Sequence, residues 1–342
     1  MKSFASDNYA GIHPQILTAI ADVNTGHAIA YGEDDTTAAL SARVKEYFGD
    51  HAQVFPVFNG TGANVVALQA MTKSWEAVIC ASTAHVNADE GGAPEKVAGL
   101  KLWLVDAPDG KLTPDLIDKQ AWGFGFEHRA QPSVVTITQS TEYGTCYTPE
   151  EIHAITEHAH RLGMLVHLDG ARIANAAAHL GMPMRAFTTD VGIDALSFGG
   201  TKNGAMGAEA VVVLNANLAP ALPFLRKTAM QLSSKMRFVS AQLLALLTDD
   251  LWRLNAEHAN AMAQRLAAAI AAIPGIALTQ PVQANAVFAT MPHHAIERAQ
   301  AAYRFYVWDH TRDEVRWMCA WDTSPTDVDD FVDALRAAVD AG

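Results

Sequence analysis

The chain has 342 residues, a formal net charge of −13 and a hydrophobic fraction of 50%. The length predicts two domains with sizeable cores, and the acidic balance argues against a nucleic-acid groove or an anionic membrane as partner. The three cysteines lack metal-ligand spacing, and the chain does not open on an apolar signal segment, so we expect a reducing, cytoplasmic location and no metal site.

Seven short apolar or β-branched segments predict strands between residues 53 and 215. They are QVFPVF, EAVICAS, KLWLVD, SVVTITQ, LVHLD, ALSFG and EAVVVLN. Helical patterns separate several of them. In TPEEIHAITEHAHRLG, Thr148 and Glu151 predict a capping box, Pro149 suits the first turn, and Gly163 ends the helix. The alternation of strand and helix predicts βαβ units and a mostly parallel sheet.

From about residue 216 the pattern changes. A long helical region is predicted over residues 240–273, followed by short strand-like segments and a last helix that Ser324 caps and Pro325 begins. This part is typical of a small α+β domain. We therefore place a large domain at residues 1–240 and a small one at residues 241–342, with the boundary inside or beside a helix.

Open parallel sheets bind ligands beyond the carboxyl ends of their strands, and the first candidate there is FNGTGANVVALQAM. Gly60, Thr61 and Gly62 open its helix, where backbone N–H groups suit a phosphate. An ordinary tight turn would explain the same residues. The segment GTGANV also resembles a dinucleotide fingerprint, although no acidic residue follows the second strand as that fold requires.

Three further strand ends each carry one reactive side chain. Asp169 could cap a helix or face a cationic ring nitrogen, and His85 could be a surface residue or a flat side chain over a ring. Lys202, in FGGTKNG, is either a solvated loop residue or an amine nucleophile, and Gly199 and Gly200 would leave room for a bulky ligand. Phosphate cradle, flat ring, acid and lysine together are the parts that hold pyridoxal 5′-phosphate.

Eight segments, taken in chain order, resemble the low-specificity L-threonine aldolases over nearly the whole length. They are ASDNYAGIHP, AYGEDDTT, NGTGAN, TAHVNADEGGAPE, HLDGARIANAA, FGGTKNG, KMRFVSA and VRWMCAWDTSPTDVDDF. The resemblance implies an α/β protein of pyridoxal phosphate fold type I. Such a fold has a large domain with a mostly parallel seven-stranded sheet flanked by helices, and a small C-terminal α+β domain. The implied activity is cleavage of L-threonine, L-allo-threonine and related β-hydroxy-α-amino acids to glycine and an aldehyde.

The resemblance also implies roles for individual residues. Lys202 would bind the cofactor covalently, Asp169 would pair with the pyridine nitrogen, and His85 would stack on the ring. Further cofactor contacts are implied for Gly60, Thr61, Gly62, Arg172, Thr201 and Arg237. Substrate contacts are implied for Ser6, Tyr31, Arg172 and Arg316, with Tyr31 reaching in from a neighbouring subunit of a dimer or tetramer. His128 would lie near the β-hydroxyl, and His85 and His128 are candidates for the base.

Two residues depart from the family pattern. Asp89 stands where many members have tyrosine, and Thr201 stands where many have serine before the lysine. Other fold type I reactions remain open, namely β-elimination, transamination and hydroxymethyl transfer, as does a non-catalytic relative. The joint presence of Asp169, Lys202 and two arginines argues against a pure scaffold.

Overall fold

The structure, a computed structural model, describes residues 2–341, and its larger sheet has seven strands. The strands are β1 (Gln53–Val57), β2 (Glu76–Ala81), β3 (Lys101–Val105), β4 (Gln131–Thr138), β5 (Leu165–Gly170), β6 (Ala195–Gly199) and β7 (Glu209–Val213). Their order is β1-β7-β6-β5-β4-β2-β3, and β7 runs antiparallel to both of its neighbours while the remaining pairs are parallel. The seven predicted strands and the mostly parallel sheet are confirmed.

Helices pack against this sheet and bury the central strands, so that every residue of β6 and β7 is buried. The helices are α1 (Pro14–Asp22), α2 (Asp35–Phe48), α3 (Gly60–Met71), α4 (His85–Ala88), α5 (Pro114–Asp118), α6 (Pro149–Arg161), α7 (Ile173–Leu180), α8 (Leu222–Thr228) and α9 (Arg237–Leu246). The predicted capping box begins α6, because the Glu151 N–H donates to the Thr148 hydroxyl and the Glu151 carboxylate accepts from the Thr148 N–H.

The predicted continuous helical region over residues 240–273 is two helices, α9 and α10 (Leu251–Ile270). Asp249 and Asp250 lie between them with φ of 50° and 55°, a left-handed conformation that a right-handed helix cannot include. The small α+β part is confirmed as an antiparallel sheet of order β10-β11-β9-β8 with two helices. Its elements are β8 (Ala277–Leu278), β9 (Ala286–Thr290), α11 (His293–Ala302), β10 (Tyr306–Asp309), β11 (Glu314–Met318) and α12 (Pro325–Asp340).

Two large apolar clusters form the core, and α10 contributes to both. Trp252 and Ala256 belong to the cluster around the seven-stranded sheet, whereas Leu266 and Ile270 belong to the cluster under the small sheet. Phe4 also packs in the second cluster, which ties the start of the chain to the small sheet. The domain boundary near residue 240 stays a prediction, and the ends of its ranges, residues 1 and 342, lie outside the described residues. None of the helices within residues 2–341 has the length and apolarity needed to cross a bilayer.

Candidate active site

A pocket lies at the carboxyl ends of β4, β5 and β6, the edge of the sheet that the strand pattern predicts for a ligand. Predicted site residues that line it are Gly60, His85, Asp169, Arg172 and Lys202. The structure therefore brings together residues that are up to 142 positions apart in the chain. Glu142, which the sequence analysis missed, lines the same pocket.

Lys202 follows β6 in a short 3-10 turn over Thr201–Asn203. Burial, followed by the Arg172 guanidinium, lowers the pKa of its amine, which favours the neutral form that a nucleophile needs. The two preceding residues must be glycine because of contacts within the protein, whereas the sequence predicted that they make room for a ligand. A Cβ on Gly199 would clash with the Ala171 backbone, and a Cβ on Gly200 would clash with the Ala208 carbonyl oxygen.

Asp169 is buried at the end of β5, and both of its carboxylate oxygens accept hydrogen bonds. Asn64 Nδ2 donates to Oδ2 at 2.9 Å, and the Ala171 N–H donates to Oδ1 at 3.0 Å. Asn64 Nδ2 also donates to Glu90 Oε1 at 2.8 Å. Asp169 does not cap α7, whose N-cap residue is Arg172 without a capping side chain. Of the two interpretations of this acid, the structure therefore removes the helix cap.

His85 begins α4 beside Asp169, and its Nδ1 lies 2.9 Å from Glu90 Oε1. This hydrogen bond is the main reason why the pKa of His85 is raised. Because Glu90 also accepts from Asn64, it joins the imidazole and the Asp169 carboxylate in one hydrogen-bonded network. The network orients the histidine ring at the pocket wall.

The start of α3 is the predicted phosphate cradle, and its three residues behave differently. The Gly62 N–H already donates to the N-cap side chain, Asn59 Oδ1, at 2.7 Å. A Cβ on Gly62 would clash with the Gln231 side chain, whose Oε1 accepts from the Phe58 N–H. Gly60 faces open space. Gly62 is therefore explained by packing, and the N–H groups of Gly60 and Thr61 stay the predicted phosphate donors of the helix start.

Arg172 forms a close pair with Asp7, a residue the sequence analysis did not select. Arg172 Nε and Nη2 donate to the two Asp7 oxygens at 2.7 and 2.9 Å. Burial opposes both charges, but the pairing outweighs it, so the pKa of Asp7 is lowered and the pKa of Arg172 is raised. Two of the three guanidinium nitrogens are thus engaged before any ligand binds.

Arg316 lies on β11 beside the same N-terminal segment. Its Nη2 is 3.4 Å from the Ala5 carbonyl oxygen, and its buried Nε has no hydrogen-bond partner within the described chain. The Trp308 ring lies 5.0 Å from the guanidinium carbon. Ser6 stands between Ala5 and Asp7 in the chain, but its hydroxyl accepts from the Asn8 N–H and it lines a separate cavity with Tyr9 and Ala320, so its predicted substrate contact stays a prediction.

Three predicted site residues lie outside the pocket. His128 precedes β4, at the amino-terminal edge of the sheet, and its side chain is 75% exposed. Tyr31 has a φ of 64° and donates its N–H to the Ser234 carbonyl oxygen. Arg237 begins α9 and donates to the Thr25 carbonyl oxygen at 3.0 Å. A single chain does not bring these side chains into the pocket, so their assigned roles stay predictions.

Two glutamates, the half-buried Glu142 and the buried Glu209, were also missed. Glu209 Oε2 accepts from the Gly200 N–H at 3.0 Å, and Oε1 accepts from the Thr201 N–H at 3.2 Å. Burial is the first cause that raises the pKa of Glu142 and of Glu209 to about 7. Glu142 follows β4 as Lys202 follows β6, so the strand-end rule could have found it. Glu209 lies inside an apolar strand, which is an unusual place for a charge.

Comparison with known proteins identifies the family of the chain. The sequence profile of the beta-eliminating lyases matches residues 3–293. Low specificity L-threonine aldolases from Pseudomonas aeruginosa and from another Pseudomonas strain are each 43% identical to this chain, over 99% of both sequences. The solved threonine aldolase of Leishmania major superposes with a TM-score of 0.93 at 30% identity, covering 99% of this chain and 100% of that one.

Proposed function

The chain belongs to the beta-eliminating lyase family, and on this premise we propose that it cleaves L-threonine and related β-hydroxy-α-amino acids to glycine and an aldehyde. It is a pyridoxal phosphate-dependent lyase of fold type I. The observation that carries the proposal is the pocket in which Lys202, Asp169 and His85 meet. These residues fit the cofactor, since they offer an amine of lowered pKa, a buried carboxylate and an imidazole.

When bound, pyridoxal 5′-phosphate supplies an electron sink for the bonds at the Cα atom of an amino acid. Lys202 would hold it covalently, Asp169 would face its ring nitrogen, and His85 would cover its ring. The N–H groups of Gly60 and Thr61 would receive its phosphate at the start of α3, where the helix dipole favours an anion.

The substrate carboxylate would bind between Arg316 and Arg172, next to Ser6. Support comes from the buried Nε of Arg316, which has no hydrogen-bond partner among residues 2–341 and so leaves a cation ready for an anionic ligand. Arg172 would contribute through Nη1, because Asp7 holds its other two nitrogens. Fixing the carboxylate in this way would set which Cα bond is aligned for cleavage.

We further propose that a second copy of the chain completes the site. Large apolar side chains of Tyr31, Phe58, Met206 and Met230, here called the Tyr31 surface, are 41% to 78% exposed. The segments that carry them are adjacent, because the Phe58 N–H donates to Gln231, next to Met230, and the Tyr31 N–H donates to the Ser234 carbonyl oxygen. Exposed apolar side chains that cluster in this way often mark interfaces. Tyr31 and Arg237 lie outside their own chain's pocket, and a partner subunit would bring them to it.

Three buried free cysteines, Cys80, Cys146 and Cys319, support a reducing location, which we propose is the cytoplasm. Burial raises the pKa of each thiol, so none is poised to react at neutral pH.

Equimolar product formation tests the activity. The purified protein, with added pyridoxal phosphate, should convert L-threonine to glycine and acetaldehyde in a one-to-one ratio, measured by chromatography and by coupled reduction of the aldehyde. Lys202→Ala should abolish this conversion, whereas Lys96→Ala, at an exposed lysine, should not. Formation of 2-oxobutanoate and ammonia instead would indicate β-elimination, and a requirement for an oxo-acid acceptor would indicate transamination.

The role of His128 has a separate test. His128→Asn should slow threonine cleavage or change the preference between threonine and allo-threonine, with cofactor binding unchanged, because the residue is proposed to act at the β-hydroxyl. An unchanged rate and preference would remove His128 from the reaction.

A further inference from the structure

Glu142 lies in the loop after β4, and its two side-chain oxygens have different surroundings. Oε1 accepts two hydrogen bonds, one from the His85 N–H at 2.9 Å and one from the Thr138 hydroxyl at 2.9 Å. Oε2 is buried and has no hydrogen-bond partner among residues 2–341. One oxygen is therefore fully used as an acceptor, and the other is unused.

Asp169, the neighbouring acid, shows the opposite distribution. Each of its oxygens accepts one hydrogen bond, from Asn64 and from Ala171. That arrangement satisfies an anion on both sides. At Glu142 both donors reach Oε1, so an ionised carboxylate would have hydrogen bonds at Oε1 and none at Oε2.

A buried carboxylate oxygen without a donor bears the full cost of its lost hydration. A proton on Oε2 removes that cost and turns the oxygen's hydroxyl into a donor. Burial, followed by the charge of Asp169, raises the pKa of Glu142 to about 7. The neutral acid is therefore well populated at neutral pH.

The charged and titratable groups around Glu142 come from several elements. They are Asp169, His85 with Glu90, Arg172, Lys202, Cys80 and Tyr147. The acids Asp169 and Glu90 already share this wall with the His85 ring and the Asn64 amide. A proton on Glu142 keeps a third negative charge away from them.

We propose that Glu142 is a neutral carboxylic acid whose Oε2 hydroxyl donates a hydrogen bond to an oxygen acceptor of the bound cofactor. This assignment rests on the proposed function, which supplies the occupant of the pocket. Glu142 is then a cofactor-binding residue, and its Oε1 positions His85 through the backbone N–H of that residue.

Two substitutions of similar size separate a neutral donor from an anion. Glu142→Gln retains an acceptor at Oε1 and places an N–H donor where Oε2 was, so it reproduces the neutral acid. Glu142→Leu has neither group. We expect Glu142→Gln to bind pyridoxal phosphate about as tightly as the wild type and Glu142→Leu to bind it about tenfold more weakly, as measured by absorbance titration of the apoprotein. A Glu142→Gln variant as weak as Glu142→Leu would overturn the proposal.

The pH dependence gives a second readout. Ionisation of Glu142 removes the donor, so wild-type cofactor affinity should fall as the pH rises through the region above 7, relative to Glu142→Gln, which does not titrate. Glu157→Gln, at a surface glutamate of α6, should follow the wild-type profile. Parallel profiles for the wild type and Glu142→Gln would contradict the proposal.

Infrared spectroscopy tests the protonation state without any activity. At pH 6 both Glu142 and Glu209 are largely protonated, so the carbonyl absorption of protonated carboxylic acids in the apoprotein should lose one component in Glu142→Gln and stay unchanged in Glu157→Gln. A spectrum unchanged by Glu142→Gln would refute the assignment of Glu142 alone. Failure of the wild type to cleave threonine while it binds the cofactor would refute the proposed function alone.

Discussion

Glu209 holds the backbone that carries Lys202. Its two oxygens accept from the N–H groups of Gly200 and Thr201, the two residues immediately before the lysine. The carboxyl is buried on β7, and β7 pairs with the strand that leads into Lys202. A buried group that accepts two backbone hydrogen bonds fixes the loop, and its charge also acts on the lysine amine.

The pH dependence of stability should report on Glu209. Burial raises its folded-state pKa from the ordinary 4.5 to about 7, so its contribution to stability is full at acid pH and is lost as the pH rises from about 4.5 through 7. Glu209→Gln does not titrate. The free energy of unfolding of the apoprotein is measured in urea at pH 5 and at pH 9. Its decrease between these two pH values should be about 3 kcal/mol smaller in Glu209→Gln than in the wild type. Equal losses in both proteins would show that Glu209 does not titrate in this range.

The position of a site residue could be predicted where the residue lies at the end of a recognisable strand. It could not be predicted where a partner far away in the sequence determines the contacts of the side chain. Lys202, Asp169 and His85 follow three strands whose apolar patterns are plain, and the pocket contains all three. The engagement of Arg172 by Asp7 was missed because 165 positions separate the two residues. The local sequence around Arg172 contains no sign of that partner, so its guanidinium was expected to be free for the substrate.

At the scale of elements, the start of α3 depends on a contact with a remote loop. Gln231 follows α8 by three residues, and its side chain occupies the space beside Gly62 while accepting from the Phe58 N–H. The helix start, the end of β1 and the loop after α8 are thus locked together. The glycine is needed for this packing, whereas the sequence suggested a phosphate contact.

Gly62→Ala should be less stable than Gly60→Ala by about 1 kcal/mol, because the new methyl group displaces the end of the Gln231 side chain and breaks its hydrogen bond with the Phe58 N–H. Thermal or urea unfolding measures this cost. Gly60→Ala is the matched control, since a Cβ there meets open space and alanine has the higher helix propensity. If Gly62→Ala is no less stable than Gly60→Ala, Gln231 moves away freely and the lock does not exist.

Most elements were predictable from periodicity and capping residues. The strands, the capped helix α6 and the last helix α12, with Ser324 as its cap, all lie where the sequence predicts them. The division between α9 and α10 was not foreseen, because Asp249 and Asp250 adopt left-handed conformations without a glycine or proline nearby. Helical periodicity continues through that point, and only the backbone conformation interrupts it.

At the scale of the whole molecule, the proposed active site is incomplete in one chain. The pocket contains Lys202, Asp169 and His85, whereas Tyr31 lies on an exposed apolar surface, where Lys227 Nζ is 5.3 Å from its ring centroid. In a two-fold symmetric dimer, the Tyr31 surface of each subunit would lie against the pocket of the other subunit, because the two-fold axis makes both contacts equivalent. Only the family resemblance assigned Tyr31 to a neighbouring subunit, because symmetry is not written in a local sequence pattern.

Subunit complementation tests this arrangement directly. Lys202→Ala removes the amine from its own pocket, and Tyr31→Ala should remove a residue from the partner's pocket, so each variant alone should be inactive or severely impaired. After the two are mixed, unfolded and refolded together, half of the dimers pair the two variants, and one of their two sites contains both wild-type residues. Activity should then return to about one quarter of the wild-type value. A mixture of Lys202→Ala with Asp169→Ala should stay inactive, because both residues serve the pocket of their own chain. Failure of the first mixture to regain activity, with dimers present by light scattering, would mean that Tyr31 does not serve the partner's site.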